Sequence, residues 1–218
     1  MKESISTIRP AWGMRHPASG LLHLSGALLS LAGTLWLLTW TEHPAVALVF
    51  GGSMALLYSA SSSYHLLQTP EPITRVLRLL DHSMIYVFIA GCYTPFCLLT
   101  VPPSLGVPFL AGVWVLGLLG VAMRLFYTGK SRWLRAGLYL AMGWMGVFLF
   151  PAIYRSLPAP GFLGLVLGGV AYSTGAIVYA LKRPDPFPRV FGYHEIWHLF
   201  VLAGSGCHFW AIAWYVMR

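Results

Sequence analysis

The sequence predicts an all-α integral membrane protein built from seven transmembrane helices. Three observations carry this. Of its 218 residues 57% are hydrophobic and only 9% are charged, whereas a soluble domain carries about 25% charged residues. Apolar runs of about 20 residues, enough to cross a bilayer as a helix, recur along the chain. The basic residues fall on alternate connections between those runs, as the positive-inside rule requires. A soluble fold cannot cover its surface with so little charge, and the chain lacks the polar low-complexity tracts of a disordered one.

The expected spans are 20–41, 45–68, 81–101, 107–127, 134–154, 161–181 and 194–217. Breaker residues separate them: His43-Pro44, Pro70-Glu71-Pro72, Pro102-Pro103, Thr128-Gly129-Lys130, Pro158-Ala159-Pro160-Gly161 and Pro184-Asp185-Pro186-Phe187-Pro188. Together they nearly fill the chain, which predicts one domain over 1–218 with a short cytoplasmic segment over 1–19. That segment reads as no cleavable signal, because its basic stretch leads into a full span without a small-residue cleavage site.

Lys2, Arg9, Arg15, Arg75, Arg78, Arg124, Lys130, Arg132, Arg135, Lys182, Arg183 and Arg189 lie on one side, and Arg155 and Arg218 on the other. The richer side is cytoplasmic, so the N-terminus is expected inside and the C-terminus outside. The net charge of +8 is therefore a topology signal and not a nucleic-acid footprint. It also fits contact with anionic headgroups. Glycines such as Gly112, Gly117, Gly120, Gly164 and Gly168 are expected at helix contacts. Trp40, Tyr127, Trp133, Tyr154 and Trp214 are expected at the interfaces. Cys92, Cys97 and Cys207 form no CxxC pair and read as packing residues.

Ionisable groups inside spans are costly and usually mark function. In the derived topology His65 ends the second span inside, Asp81 opens the third, and His194 and His198 occupy the first turns of the seventh. Three separated pieces of sequence thus meet at one depth. His194 and His198 are four residues apart and share a helix face. With His65 they could hold one metal ion and leave a fourth position for water, the pattern of a catalytic zinc site. Ser61 lies four residues before His65, on the same face. Asp81 could accept a hydrogen bond from that water and act as general base.

Each piece has a plainer alternative. The histidines could be hydrogen-bonded packers, Asp81 a helix cap, and Ser61 one of a run of small packing residues. His194-Glu195-Ile196-Trp197-His198 also fits HExxH, the zinc-protease motif with Glu195 as base. No Asp or Glu follows His198 to serve as a downstream ligand. Glu195 is turned about 100° from His194 on a helix, towards an interface or a neighbouring helix. His208 lies about 21 Å further along and cannot bind the same ion. His23 is a candidate second-sphere residue, and His82 is expected to point away from Asp81.

The arrangement Ser61-x-x-x-His65, Asp81, His194-x-x-x-His198 resembles the hemolysin III family. These are bacterial relatives of the progestin and adipoQ receptor family, in a superfamily with alkaline ceramidases. Leu80-Asp81-His82, Gly91-Cys92-Tyr93-Thr94-Pro95, Tyr139-Leu140-Ala141-Met142-Gly143-Trp144 and Gly204-Ser205-Gly206-Cys207-His208-Phe209 carry the resemblance along nearly the whole chain. The resemblance implies seven helices around one zinc ion on His65, His194 and His198, with Asp81 holding its water and Ser61 nearby. It also implies a multi-pass protein of the bacterial inner membrane. Many such relatives place a glutamate and an asparagine before the histidine of the first span. Here Arg15-His16-Pro17-Ala18-Ser19-Gly20 stands there instead.

Three functions are expected from these residues. The first is a zinc-dependent hydrolase of N-acyl, ceramide-like lipids, with an acyl chain held between the helices. The second is a non-enzymatic, receptor-like regulator with a structural zinc. The third, suggested by the family's name, is a pore, for which the sequence offers no amphipathic segment and no ring of charges. The substrate, the protein partners and the oligomeric state are not legible.

Overall fold

The computed structural model describes residues 14–126, 132–187 and 190–218. Lys2, Arg9, Tyr127, Thr128, Gly129, Lys130, Pro188 and Arg189 lie outside them. The helices are α1 (Pro17–Leu38), α2 (Pro44–Leu66), α3 (Glu71–Leu99), α4 (Pro103–Phe126), α5 (Arg132–Trp144), α6 (Phe150–Ser156), α7 (Ala159–Leu181) and α8 (Tyr193–Ala211). Seven helical segments are long and apolar enough to cross a membrane, the fifth running Trp133–Ser156 through α5 and α6. Large apolar side chains such as Leu29, Leu35, Leu118 and Leu119 stand exposed on them, as a hydrocarbon solvent favours.

Prolines explain where the helices start. Pro17, Pro44, Pro72 and Pro160 sit in first turns, where the missing N–H would have had no partner anyway. The largest correction follows from Pro72. Asp81 does not open the third span, and it caps nothing: α3 begins at Glu71 with Pro70 as its N-cap. At 29 residues, α3 is about 43 Å long, more than the ~30 Å of hydrocarbon. Its first turns carry Glu71, Arg75 and Arg78, and Asp81 follows about three turns into the helix. Arg75 and Arg78 both approach Glu71 at 3.9 Å. These exposed pairs contribute little to stability.

The fifth span is not one continuous helix. A 3-10 stretch, Met145–Leu149, separates α5 from α6. Pro151 has no N–H to give back to the preceding turn. The Tyr93 hydroxyl of α3 serves the break, lying 3.0 Å from the carbonyl of Met142, 2.5 Å from that of Gly143 and 2.6 Å from the N–H of Gly146. The last span ends in a π-helical turn, Ile212–Val216.

α2 and α3 are the most buried spans, and α4 and the fifth span are among the least. Phe50 and Tyr58 of α2, Phe96 and Cys97 of α3 and Ile212 anchor the core. Gly120 lets α4 meet the ring of Tyr86 on α3, and Gly168 lets α7 meet the imidazole of His208 on α8. Gly112, expected at a contact, has nothing within 4 Å of where a side chain would begin. The three cysteines are free.

Candidate metal centre

His65 sits in the last turn of α2. Gly192 is the N-cap of α8, and the Glu195 carboxylate accepts its N–H at 2.8 Å, which fixes His194 and His198 in the first two turns. One ligand atom from each of His65, His194 and His198 lies within 4.8 Å of the others. The ring centroids are 5.1 Å apart for His65 and His194, 5.2 Å for His65 and His198, and 4.5 Å for His194 and His198. His65 is 3% exposed and His198 1%, so water does not satisfy their polar atoms.

Both ring nitrogens of His65 and Nε2 of His198 have no hydrogen-bond partner among the described residues. Leaving a buried polar group unpaired costs about 1–3 kcal/mol. One nitrogen of His65 and Nε2 of His198, both without a partner, belong to the close group that one atom of His194 completes, as a ligand set requires. An all-imidazole set suits zinc, as it does several other transition metals.

Ser61 is fully buried, one turn before His65. Its hydroxyl lies beside the Asp81 carboxyl but short of a hydrogen bond. Asp81 is buried and lines an apolar cavity that also includes His23, Phe88, Phe96, Tyr172 and Phe150. From Asp81 to Phe96 this cavity follows α3 for about 22 Å. Asp81 is not within the close group of three histidines.

Other sequence expectations resolve as follows. His82 does not turn away from Asp81: its Nδ1 is 3.9 Å from Asp81 Oδ2 and 2.7 Å from the carbonyl of Arg78. His208 places Nε2 3.2 Å from the carbonyl of Leu165. Glu195 is turned towards α1, where it accepts a hydrogen bond from Ser19 Oγ at 2.5 Å, and its other oxygen accepts the N–H of Gly192 at 2.8 Å. His23 Nε2 lies 2.5 Å from His198 Nδ1.

Ser19 was not singled out from the sequence, yet its Oγ lies 3.1 Å from His194 Nδ1. A signal was present: Ser19-x-x-x-His23 on α1 repeats the spacing of Ser61-x-x-x-His65 on α2. His16, just before α1, adds its ring 5.6 Å from that of His65. Burial first, and the Arg15 charge second, hold the His16 pKa below its usual value.

Comparison with known proteins agrees with this architecture. Residues 14–209 match the family described as Haemolysin-III related. The chain is 40% identical over 170 residues to the hemolysin-3 homolog of Bacillus subtilis (strain 168), covering 78% of this chain and 76% of the relative. It is 39% identical over 171 residues to hemolysin-3 of Bacillus cereus, covering 78% and 74%. It is 25% identical over 176 residues to the monocyte to macrophage differentiation factor of Homo sapiens, covering 79% and 71%.

Proposed function

This chain belongs to the haemolysin-III-related family as a multi-pass cell-membrane protein, and on that premise we propose that it is a zinc-dependent hydrolase of N-acyl, ceramide-like lipids. The observation that carries this reading is the group of buried, unpartnered histidine nitrogens, with Ser61 one turn before His65 and beside Asp81, which itself lines an apolar cavity. His65, His194 and His198 would hold the ion. Zinc, when bound, would supply a Lewis acid that polarises an acyl oxygen and lowers the pKa of water.

The remaining work falls to the chain's own groups. Asp81 would take a proton from the attacking water on its carboxylate and return it to the leaving amine. The Ser61 hydroxyl would donate to the oxygen on which negative charge develops. The walls formed by Phe88, Phe96 and Phe150 would hold the acyl chain and keep bulk water away. The metalloprotease alternative is disfavoured by Glu195, because both of its carboxylate oxygens already accept hydrogen bonds.

The test is release of fatty acid from fluorescent ceramides and other N-acyl lipids by purified protein, with His65→Ala as the blank. Turnover above the blank supports the reading. None across a broad lipid panel sinks it.

The deep burial of His65 and His198 also favours a second reading, a non-enzymatic regulator in which the ion ties α2 to α8. Under it, Asp81→Asn would preserve the physiological role. Loss of that role with fold and zinc intact returns the argument to catalysis.

A further inference from the structure

The first helix and its N-cap residue His16 supply none of the three candidate ligands, yet together they touch all three. The N–H of His16 donates to the carbonyl of His65 at 2.7 Å. Ser19 Oγ lies 3.1 Å from His194 Nδ1, and His23 Nε2 lies 2.5 Å from His198 Nδ1. Ser19 and His23 are one turn apart on α1, as His194 and His198 are on α8. Two spans that cross the membrane in the same direction therefore repeat one contact in register.

We infer that α1 is the positioning element of the metal centre, with Ser19 and His23 fixing the tautomer and aim of His194 and His198. This rests on the metal reading above. The argument is one of valence. An imidazole has two ring nitrogens, and a neutral ring carries its proton on one of them. Ser19 Oγ donates its proton to Glu195, so its lone pairs remain to accept His194 Nδ1–H. That assigns the Nδ1–H form to His194 and leaves Nε2 for a ligand bond. At His198, Nδ1 faces His23 Nε2, and the form that donates from Nδ1 leaves Nε2, a nitrogen without a partner, for a ligand bond, with the His23 proton on its own Nδ1.

Glu195 closes the arrangement. Its carboxylate holds the Ser19 hydroxyl and the start of α8 together. It thus reaches His194 through Ser19, as a carboxylate in a carboxylate–histidine–metal chain does directly. His23 is itself held edge-on against the Tyr58 ring at 5.0 Å, and it is 2% exposed. It has little freedom to let go of His198. Ser19 and His23 are positioning residues: neither is asked to touch substrate or ion.

The experiment measures the zinc dissociation constant by chelator competition, and the melting temperature of the metal-free protein, for purified full-length chains. Ser19→Ala and His23→Leu should each weaken zinc binding about 10–100-fold, the usual effect of removing such a partner. His23→Gln, whose amide oxygen can still accept His198 Nδ1–H, should recover most of that loss. Melting of the metal-free chains should not follow the same order, as it would for packing alone.

Zinc binding within twofold of wild type in Ser19→Ala overturns the inference. So does equal binding by His23→Leu and His23→Gln. Should His23→Leu fail to fold, Ser19→Ala, which deletes a single oxygen, decides the matter. If His65→Ala keeps full zinc affinity, the metal reading itself has failed, and that outcome is distinct from the others.

Discussion

Two buried polar clusters lie along α8 about 10 Å apart, and they differ in how they end. In the outer one, the hydroxyls of Tyr58 and Tyr172 reach Ser205 Oγ at 2.6 and 3.0 Å, and Ser205 Oγ donates to the carbonyl of Val201 at 3.0 Å. Every group there has a partner within the cluster. In the inner one, the nitrogens of His65 and Nε2 of His198 have none. The same helix, at similar burial, builds one network that closes on itself and one that keeps valences open. The closed network is a helix-to-helix contact. The open one is the candidate site.

That contrast can be broken at either end. The largest effect is expected from His65→Ala. Metal analysis should find about one zinc per wild-type chain and none in the variant, whereas Ser205→Ala should keep its zinc. Next comes Asp81→Asn, which should retain zinc and fold but lower lipid turnover by about 10²–10⁴-fold, the scale of general-base catalysis.

Gly168→Ala acts on the outer region. A methyl group there meets the His208 imidazole and stands 3.1 Å from the Gly204 carbonyl. It should cost about 1–3 kcal/mol by overpacking, read as a lower melting temperature with zinc affinity unchanged. The smallest effect is expected from Tyr58→Phe. It removes one hydroxyl from the closed network and should cost about 0.6 kcal/mol, the mean for hydrogen bonds between membrane helices. A loss of zinc in either outer variant would merge the two clusters into one functional unit.

Much of this was legible in the sequence, because hydropathy and basic-residue placement act over whole helices. The seven spans follow from that, and the shared face of His194 and His198 follows from their four-residue spacing. The third helix starts at Glu71 and not at Asp81, because Pro72, which reads as a break, sits in a first turn, where a proline begins a helix. The 3-10 stretch in the fifth span depends on the Tyr93 hydroxyl arriving from α3, a distant contact that no local pattern encodes. The contribution of α1 was hidden for the same reason. Ser19 and His23 acquire meaning only once the register of α1 against α8 is known, and register is set by packing.

The pairing of α1 with α8 also bears on how the protein is made. In chain order α1 is made well before α8. Until α8 enters the bilayer, Ser19 and His23 face no histidine, and the chain holds only His65 of the three. If the three histidines take up a metal, capture would mark the pairing of α8 with α1 and α2, since binding that occurs only in the assembled fold stabilises that fold. A chain stalled before α8 would leave polar side chains of α1 unpaired inside the membrane. That gives the cell a chemical mark for recognising an incomplete molecule.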